Sequence, residues 1–147
     1  MTALRDTSPL YDRLPHAGKM RLIDEVIDWN ADGIRCRTRS HRDLDNPLRS
    51  GDGLPAVHGI EYGAQAAALH GVLTGAIDDG PGLMLGAVRD LHLLVDSLDA
   101  ITEPLTLTAR VELRSGVNAI YSIAVAGADQ RCIEGRLTLL RAGEGAP

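Results

Sequence analysis

The chain has 147 residues, a formal net charge of −5 and a hydrophobic fraction of 44%. This length and composition predict a single domain over residues 1–147 with a real core, and the negative charge gives no broad cationic field for nucleic acid. No apolar run is long enough to span a bilayer, and the N-terminus lacks the apolar stretch of a signal peptide. We therefore expect a cytoplasmic protein that does not span a membrane.

The first part of the chain predicts two strands and a long loop. Residues 1–13 are typical of a loose lead-in. A predicted strand over 20–29 and a strictly alternating strand over 34–40 are separated by the turn-forming residues 30–33. Residues 42–55 are polar, with two prolines and two glycines, and predict a long ordered loop of the kind that often carries function.

The rest of the chain predicts one helix followed by four strands. The helix covers 56–74, and the strands cover 83–98, 104–115, 118–127 and 131–141, before a frayed tail over 143–147. One helix with a mostly antiparallel sheet is an α+β arrangement. The helix is nearly all apolar and contains Gly59, Gly63 and Gly71, although glycine costs a helix about 1 kcal/mol relative to alanine. A strongly curved sheet wrapped closely around it would explain both features.

Cysteine and histidine spacing gives no sign of a metal site. Cys36 and Cys132 lie far apart, with no CxxC pair and no Cys/His cluster. We interpret both as small core residues and not as a disulfide. We therefore predict that the protein uses neither a metal nor any other cofactor.

The segment "LPHAGKMRLIDEV" at 14–26 resembles the opening of the β-hydroxyacyl-[acyl carrier protein] dehydratases. That family begins with a Leu-Pro-His segment and an apolar strand that ends in Leu-Val-Asp or Leu-Ile-Asp. The matching residues are Leu14, Pro15, His16, Leu22, Ile23 and Asp24.

The helix segment "LPAVHGIEYGAQ" resembles the same family, whose pattern joins Met-Pro-Gly to Glu-x-x-Ala-Gln. The matching residues are Pro55, Glu61, Ala64 and Gln65. Together with "SHRDLDNPL" at 40–48, this helix looks closer still to the ApeP-type dehydratase-like proteins of aryl polyene lipid clusters. The resemblance implies the hotdog fold, a curved antiparallel sheet wrapped around one central helix.

The resemblance also implies site residues, each of which has a simpler interpretation. Glu61 would be the general acid, or would merely complement the helix dipole. Gln65, one turn later, would line the site and hold that carboxylate, or would bond a strand backbone. Pro55 and Gly59 would contact substrate, with the Gly59 amide polarising the thioester carbonyl, unless Gly59 only permits a tight turn into the helix.

The chain departs from the family pattern at the catalytic histidine, which housekeeping dehydratases carry in a loop just before the helix. Asp52 stands at that position here. His58, three residues before Glu61, is the leading replacement and His41 the second. The simpler interpretations are a packing or capping role for His58 and a surface position for His41.

Other polar residues carry weaker predictions. His16 matches a structural family position, His70 should lie on the helix side opposite Glu61, and His92 has no partner in sequence. The arginines of the 34–40 strand and its end could meet an acidic acyl carrier protein, or could simply form a solvated strand face that also deters edge pairing. They are Arg35, Arg37, Arg39 and Arg42.

The resemblance implies dehydration of a β-hydroxyacyl thioester in fatty acid-like or aryl polyene lipid biosynthesis. The expected substrate carrier is an acyl carrier protein, or coenzyme A as an acyl-CoA thioester. The expected assembly is a homodimer or higher homo-oligomer, or a heterodimer with a second dehydratase. Two alternatives stay open: a non-catalytic pseudo-dehydratase that completes a hetero-oligomer, and an acyl thioesterase.

Overall fold

The computed structural model of the protein describes residues 6–14, 17–77, 83–116 and 118–141. Within these ranges, two helices and six strands follow one another. They are α1 (Ser8–Tyr11), β1 (Glu25–Asn30), β2 (Gly33–Thr38), α2 (Gly59–Leu73), β3 (Leu83–Leu93), β4 (Leu105–Ser115), β5 (Asn118–Gly127) and β6 (Gln130–Arg141). The predicted order of two strands, a loop, a helix and four strands is confirmed.

The six strands form one antiparallel sheet in the order β1-β2-β4-β5-β6-β3. Irregular register interrupts every strand pair except β2 with β4, and such bulges let a sheet bend strongly. The sheet curves around α2, which packs against β2, β4, β5 and β6. This is the hotdog fold, as expected.

The glycines of α2 allow side chains from elsewhere in the fold to approach the helix closely. A Cβ atom at Gly59 would lie 2.7 Å from Ile133 Cγ2, and one at Gly63 would lie 2.3 Å from Ile123 Cδ1. A Cβ at Gly71 would lie 2.5 Å from Ile77 Cδ1. All of these distances are too short for non-bonded carbon atoms. The helix therefore contains glycine because isoleucine side chains fill the space that a methyl group would need.

The segment before β1 differs from the predicted strand over 20–29. Gly18–Met20 forms a 3₁₀ turn, and β1 begins only at Glu25. The Leu22 N–H donates to the Gln65 side chain, and its carbonyl accepts from side-chain hydroxyls of Thr38 and Ser40. Because these side chains satisfy the backbone N–H and carbonyl of Leu22, Leu22 needs no hydrogen bonds from a neighbouring strand.

The lead-in over 1–13 also differs from the prediction where it is described. Ser8–Tyr11 is a short helix with a proline in its first turn, a position that proline favours. Tyr11 and Leu14 are buried in the core, and Thr7 Oγ1 donates a 2.8 Å hydrogen bond to the Ile23 carbonyl. This segment is therefore packed and not loose. The predicted tail over 143–147 lies outside the described residues.

Both cysteines are core residues, as predicted. Cys36 and Cys132 are buried and free. Burial raises the pKa of both thiols, which keeps them protonated and unreactive. In the described ranges, no helix is both long and apolar enough to cross a membrane.

Candidate functional site

Glu61 lies in the first turn of α2 and is half-buried. Its Oε2 atom accepts a 2.9 Å hydrogen bond from Gln65 Nε2, one helical turn later. A carboxylate in this position is stabilised by the positive end of the helix dipole. The two residues that the sequence singled out together are therefore in direct contact.

Gln65 is fully buried, with 0% of its surface exposed, and its amide makes four hydrogen bonds. Oε1 accepts from the Tyr11 hydroxyl at 2.6 Å and from the Leu22 N–H at 3.1 Å. Nε2 donates to the Met20 carbonyl at 2.8 Å and to Glu61. Gln65 therefore satisfies both interpretations, since it holds the carboxylate and also bonds the backbone before β1.

Tyr11 is a site residue that the sequence reasoning missed. Its hydroxyl lies between the Ile23 N–H, which donates to it at 3.0 Å, and Gln65 Oε1, to which it donates. Burial raises the pKa of this phenol, so the group stays protonated. The signal in the sequence was Ser8-Pro9 just before Tyr11, because Ser-Pro is a common helix start.

His58 ends a 3₁₀ turn over Ala56–His58 that leads directly into α2. It lies three residues before Glu61 and is half-buried. In the part of the chain that the structure describes, no hydrogen bond or ion pair engages its imidazole. The ring is therefore available to a substrate or to a second chain.

His41 lies in the core, which corrects the surface interpretation. It is fully buried, and its Nε2 atom donates a 3.0 Å hydrogen bond to the Ile101 carbonyl between β3 and β4. Its Nδ1 atom is buried without a partner among the described residues. Burial lowers the pKa of His41, and within the described ranges no hydrogen bond joins it to Glu61.

The structure corrects the role predicted for the Gly59 amide at the start of α2. Its N–H donates within the turn to the carbonyls of Ala56 and Val57, so it is not open to a substrate oxygen. The Ala56 N–H donates to the Asp96 carbonyl at 3.0 Å. Among the described residues, the Val57 N–H has no acceptor. Val57 therefore offers an open amide at this helix start.

Pro55 precedes this turn and is half-buried. Its backbone forms an isolated antiparallel bridge with Ser97. The neighbouring Asp52 lies in an exposed tight turn in which Ser50 and Gly53 exchange backbone hydrogen bonds. The position that carries a catalytic histidine in the resembling enzymes is therefore an exposed carboxylate here.

The predicted long loop over 42–55 is ordered by hydrogen bonds to the helix, to the turn after β2 and to the segment between β3 and β4. Asn46 is buried, and its Nδ2 atom donates to the Ser40 carbonyl and to the Tyr62 hydroxyl. The Leu54 N–H donates to Asp99 Oδ1 at 2.8 Å. These contacts place the loop beside the first turn of α2.

The arginines of β2 lie on a solvated face of the strand, which is the simpler of the two interpretations. Arg35 forms an ion pair with Asp28, and Arg37 forms one with Glu25 on the neighbouring strand. Arg42 Nη1 donates to the Asp99 carbonyl. Arg39, the remaining arginine of the stripe, is exposed.

Two open clefts of the described residues lie on the outer face of the sheet. The larger has a volume of about 430 Å³ and contains Thr108, Arg110 and Ser122 among its lining residues. The smaller lies beside it around Trp29 and Arg35. Glu61 lines neither cleft.

The other described histidines, His70 and His92, differ in burial. His70 is buried, with Nε2 donating to the Asn30 carbonyl and Nδ1 accepting from the Tyr121 hydroxyl, both at 2.7 Å. It is therefore a core residue. His92 is exposed on β3, and His16 lies outside the described residues.

Comparisons with known proteins agree with this fold. A model of the ApeP-like family, described as ApeP dehydratase, matches residues 8–145. The dehydratase heterocomplex ApeI:P from Xenorhabdus doucetiae matches with a TM-score of 0.78 and 21% identity, covering 92% of this chain and 91% of that chain. A search of curated protein sequences gives no match.

Two further solved structures share the fold. An HP0420 homologue from Helicobacter felis has a TM-score of 0.63 and 13% identity, over 92% of this chain and 91% of that chain. A mutant of the thioesterase PA1618 from Pseudomonas aeruginosa has a TM-score of 0.50 and 14% identity, over 78% of each chain. The same architecture therefore occurs in proteins of different names.

Proposed function

Because the chain belongs to the ApeP-like family of dehydratases, we propose that it dehydrates a β-hydroxyacyl thioester carried on an acyl carrier protein. The observation that carries this proposal is the Glu61 carboxylate, held by Gln65 in the first turn of the central helix. In the reaction, a base removes the proton next to the carbonyl and an acid protonates the departing hydroxyl. The products are an enoyl thioester and water.

We assign the acid step to Glu61 and the base step to His58. In its protonated form Glu61 gives its proton to the leaving hydroxyl and becomes the carboxylate that the helix dipole stabilises. The half-buried His58 takes the α-proton. His58 is favoured over His41 because the His41 ring is buried and bonded to the Ile101 carbonyl. The Val57 amide, which replaces Gly59 in this role, donates to the thioester oxygen as negative charge develops there.

A second chain completes the pocket by pairing along β3. β3 is an edge of the sheet and follows α2 in the chain, and a long apolar edge strand invites pairing with another strand. The opposite edge, β1, is short and its Glu25 and Asp28 are in ion pairs. The exposed apolar side chains on or beside β3 are Met84, Leu85, Leu93, Leu94 and Leu140.

The second candidate function is a non-catalytic subunit of a hetero-oligomer. The observation that favours it is the exposed Asp52 turn, at the position where housekeeping dehydratases carry their histidine. The similar ApeI:P structure is a heterocomplex. In this arrangement Glu61 and Gln65 would face groups of the second subunit.

The test is to incubate the purified chain with a β-hydroxyacyl carrier protein thioester, alone and with a catalytic dehydratase subunit, and to follow the acyl mass. Loss of water by the chain alone supports the dehydratase. Loss of water only with the second subunit, and equally fast with the Glu61→Gln variant, supports the non-catalytic subunit. Release of free acid would overturn both and identify a thioesterase.

A further inference from the structure

We propose that Tyr11 is a positioning residue for the Glu61 carboxylate and acts on it through the Gln65 amide. This inference rests on the function proposed above, because it assigns Tyr11 to the same site. It comes from a chain of hydrogen bonds that runs from the Ile23 N–H to the Tyr11 hydroxyl, to Gln65 and on to Glu61.

The direction of each hydrogen bond follows from the atoms involved. The Ile23 N–H can only donate, so the Tyr11 oxygen accepts from it at 3.0 Å. Gln65 Oε1 carries no hydrogen, so the Tyr11 hydroxyl donates to it at 2.6 Å. The hydroxyl is therefore used once as acceptor and once as donor.

These donors decide which way the Gln65 amide faces. Oε1 lies between two donors, the Tyr11 hydroxyl and the Leu22 N–H, whereas Nε2 lies between two acceptors, the Met20 carbonyl and Glu61 Oε2. A flipped amide would place its NH₂ group against the Leu22 N–H and its oxygen against the Glu61 carboxylate. Such a flip leaves buried donors and acceptors unpaired, which is costly in the interior.

Tyr11 adds the shorter of the two hydrogen bonds to Oε1. Without its hydroxyl, the amide oxygen keeps only Leu22 and can move within its site. The N–H that Gln65 offers to Glu61 would then be directed by three hydrogen bonds and no longer by four, so its direction would be less tightly fixed. Acid catalysis depends on such placement, because small displacements of a catalytic group slow the reaction strongly.

The packing of α1 makes this role testable without unfolding the chain. Thr7 Oγ1 bonds the Ile23 carbonyl, and Leu14 and the Tyr11 ring are buried. A phenylalanine at position 11 keeps the ring contacts and removes only the hydroxyl. Tyr121 offers a matched control, because it is also buried and its hydroxyl also bonds a polar residue of α2, His70.

The kinetic experiment compares Tyr11→Phe with Tyr121→Phe in the dehydration assay. We expect Tyr11→Phe to lower kcat about tenfold with KM changed by less than about twofold. Tyr121→Phe should lower Tm by a similar amount and leave kcat within about twofold of the parent. Equal kcat values for the two variants would overturn the inference.

A double-mutant cycle with Gln65→Leu tests whether Tyr11 acts through the amide. In the Gln65→Leu background, Tyr11→Phe should cause no further loss of kcat, because the group it orients is already gone. If Tyr11→Phe lowers kcat as much in this background as in the parent, Tyr11 does not act through Gln65.

A nuclear magnetic resonance measurement separates this inference from the proposed function. The Gln65 side-chain NH₂ signals, identified by their loss in Gln65→Leu, should exchange with water at least about tenfold faster in Tyr11→Phe than in the parent. Tyr121→Phe should leave that exchange rate unchanged. Unchanged exchange in Tyr11→Phe overturns the inference whether or not the chain dehydrates anything. Faster exchange in a chain without dehydratase activity supports the positioning and refutes only the function.

Discussion

Gln65 Nε2 donates a 2.9 Å hydrogen bond to Glu61 Oε2 within the first two turns of the central helix. Gln65 is itself held by four hydrogen bonds, so the carboxylate is attached to a rigid part of the fold. A pre-oriented acid avoids reorganisation when the reaction occurs.

Glu61→Gln should abolish acid catalysis without disturbing the fold. The new amide has the same shape and keeps an oxygen that can accept from Gln65, but its N–H protons are not acidic, so it cannot protonate the leaving hydroxyl. We expect dehydration to slow by about 10²- to 10⁴-fold, with Tm unchanged. A Glu61→Gln variant that dehydrates at the parental rate would refute the assignment.

Substitution of the two candidate histidines by glutamine should affect different properties: activity for His58 and stability for His41. His58→Gln removes the half-exposed base, so we expect kcat to fall by about 10²-fold with little change in the free energy of unfolding. His41→Gln alters a fully buried side chain and should destabilise the fold by about 1–3 kcal/mol. Urea unfolding and the dehydration assay read the two effects separately. The reverse pattern would make His41 the base.

The stability of the fold should decrease as the pH falls below the ordinary pKa of histidine. Burial lowers the pKa of His70 and of His41 in the folded chain, so the unfolded chain binds more protons there. The resulting stability is complete above about pH 6.5 and is lost as the pH falls through the folded pKa, by at most about 1.4 kcal/mol per pH unit for each histidine.

Urea unfolding between about pH 7.5 and about pH 5.5 measures this dependence. His70→Gln cannot titrate, so its unfolding free energy should vary less steeply with pH than that of the parent. Identical slopes in parent and variant would show that His70 does not contribute.

Gly63→Ala should destabilise the protein although alanine favours helices. The new Cβ would lie 2.3 Å from Ile123 Cδ1 and 3.1 Å from Ile123 Cβ, which forces the helix and β5 apart. We expect a loss of about 1–3 kcal/mol, measured by urea unfolding. Adding Ile123→Val removes Cδ1 and should recover part of the loss, so a strictly additive double variant would contradict the proposed steric cause.

Leu85→Lys should weaken association between chains. Leu85 lies on edge strand β3 with 40% of its surface exposed, whereas Leu44, in the loop, is 85% exposed and serves as the matched control. A lysine opposes close pairing along an edge, so we expect at least about a tenfold weaker association constant by analytical ultracentrifugation. Equal association of Leu85→Lys and Leu44→Lys would show that β3 is not the interface.

Much of the architecture was readable from the sequence because it depends on local patterns. The alternation in β4 predicts one buried face formed by Leu105, Leu107, Ala109, Val111 and Leu113. The first three are buried, whereas Leu113, beyond an irregularity in the register with β5, is 61% exposed. The apolar, glycine-containing helix predicted a sheet wrapped around it. The spacing of Glu61 and Gln65 placed both on one face of that helix, and their contact follows from helix geometry alone.

Other features were decided only by the tertiary structure, because they join residues distant in the chain. Tyr11 reaches Gln65 across 54 positions, and His41 reaches Ile101 across 60; no local periodicity encodes such contacts. The Gly59 amide was assigned to substrate because the 3₁₀ turn that occupies its N–H was not foreseen. The sequence by itself determined the helix, the strands and the acid with its amide partner. Long-range packing determined which polar groups are buried, satisfied or left open, since burial and hydrogen-bond pairing depend on the whole fold.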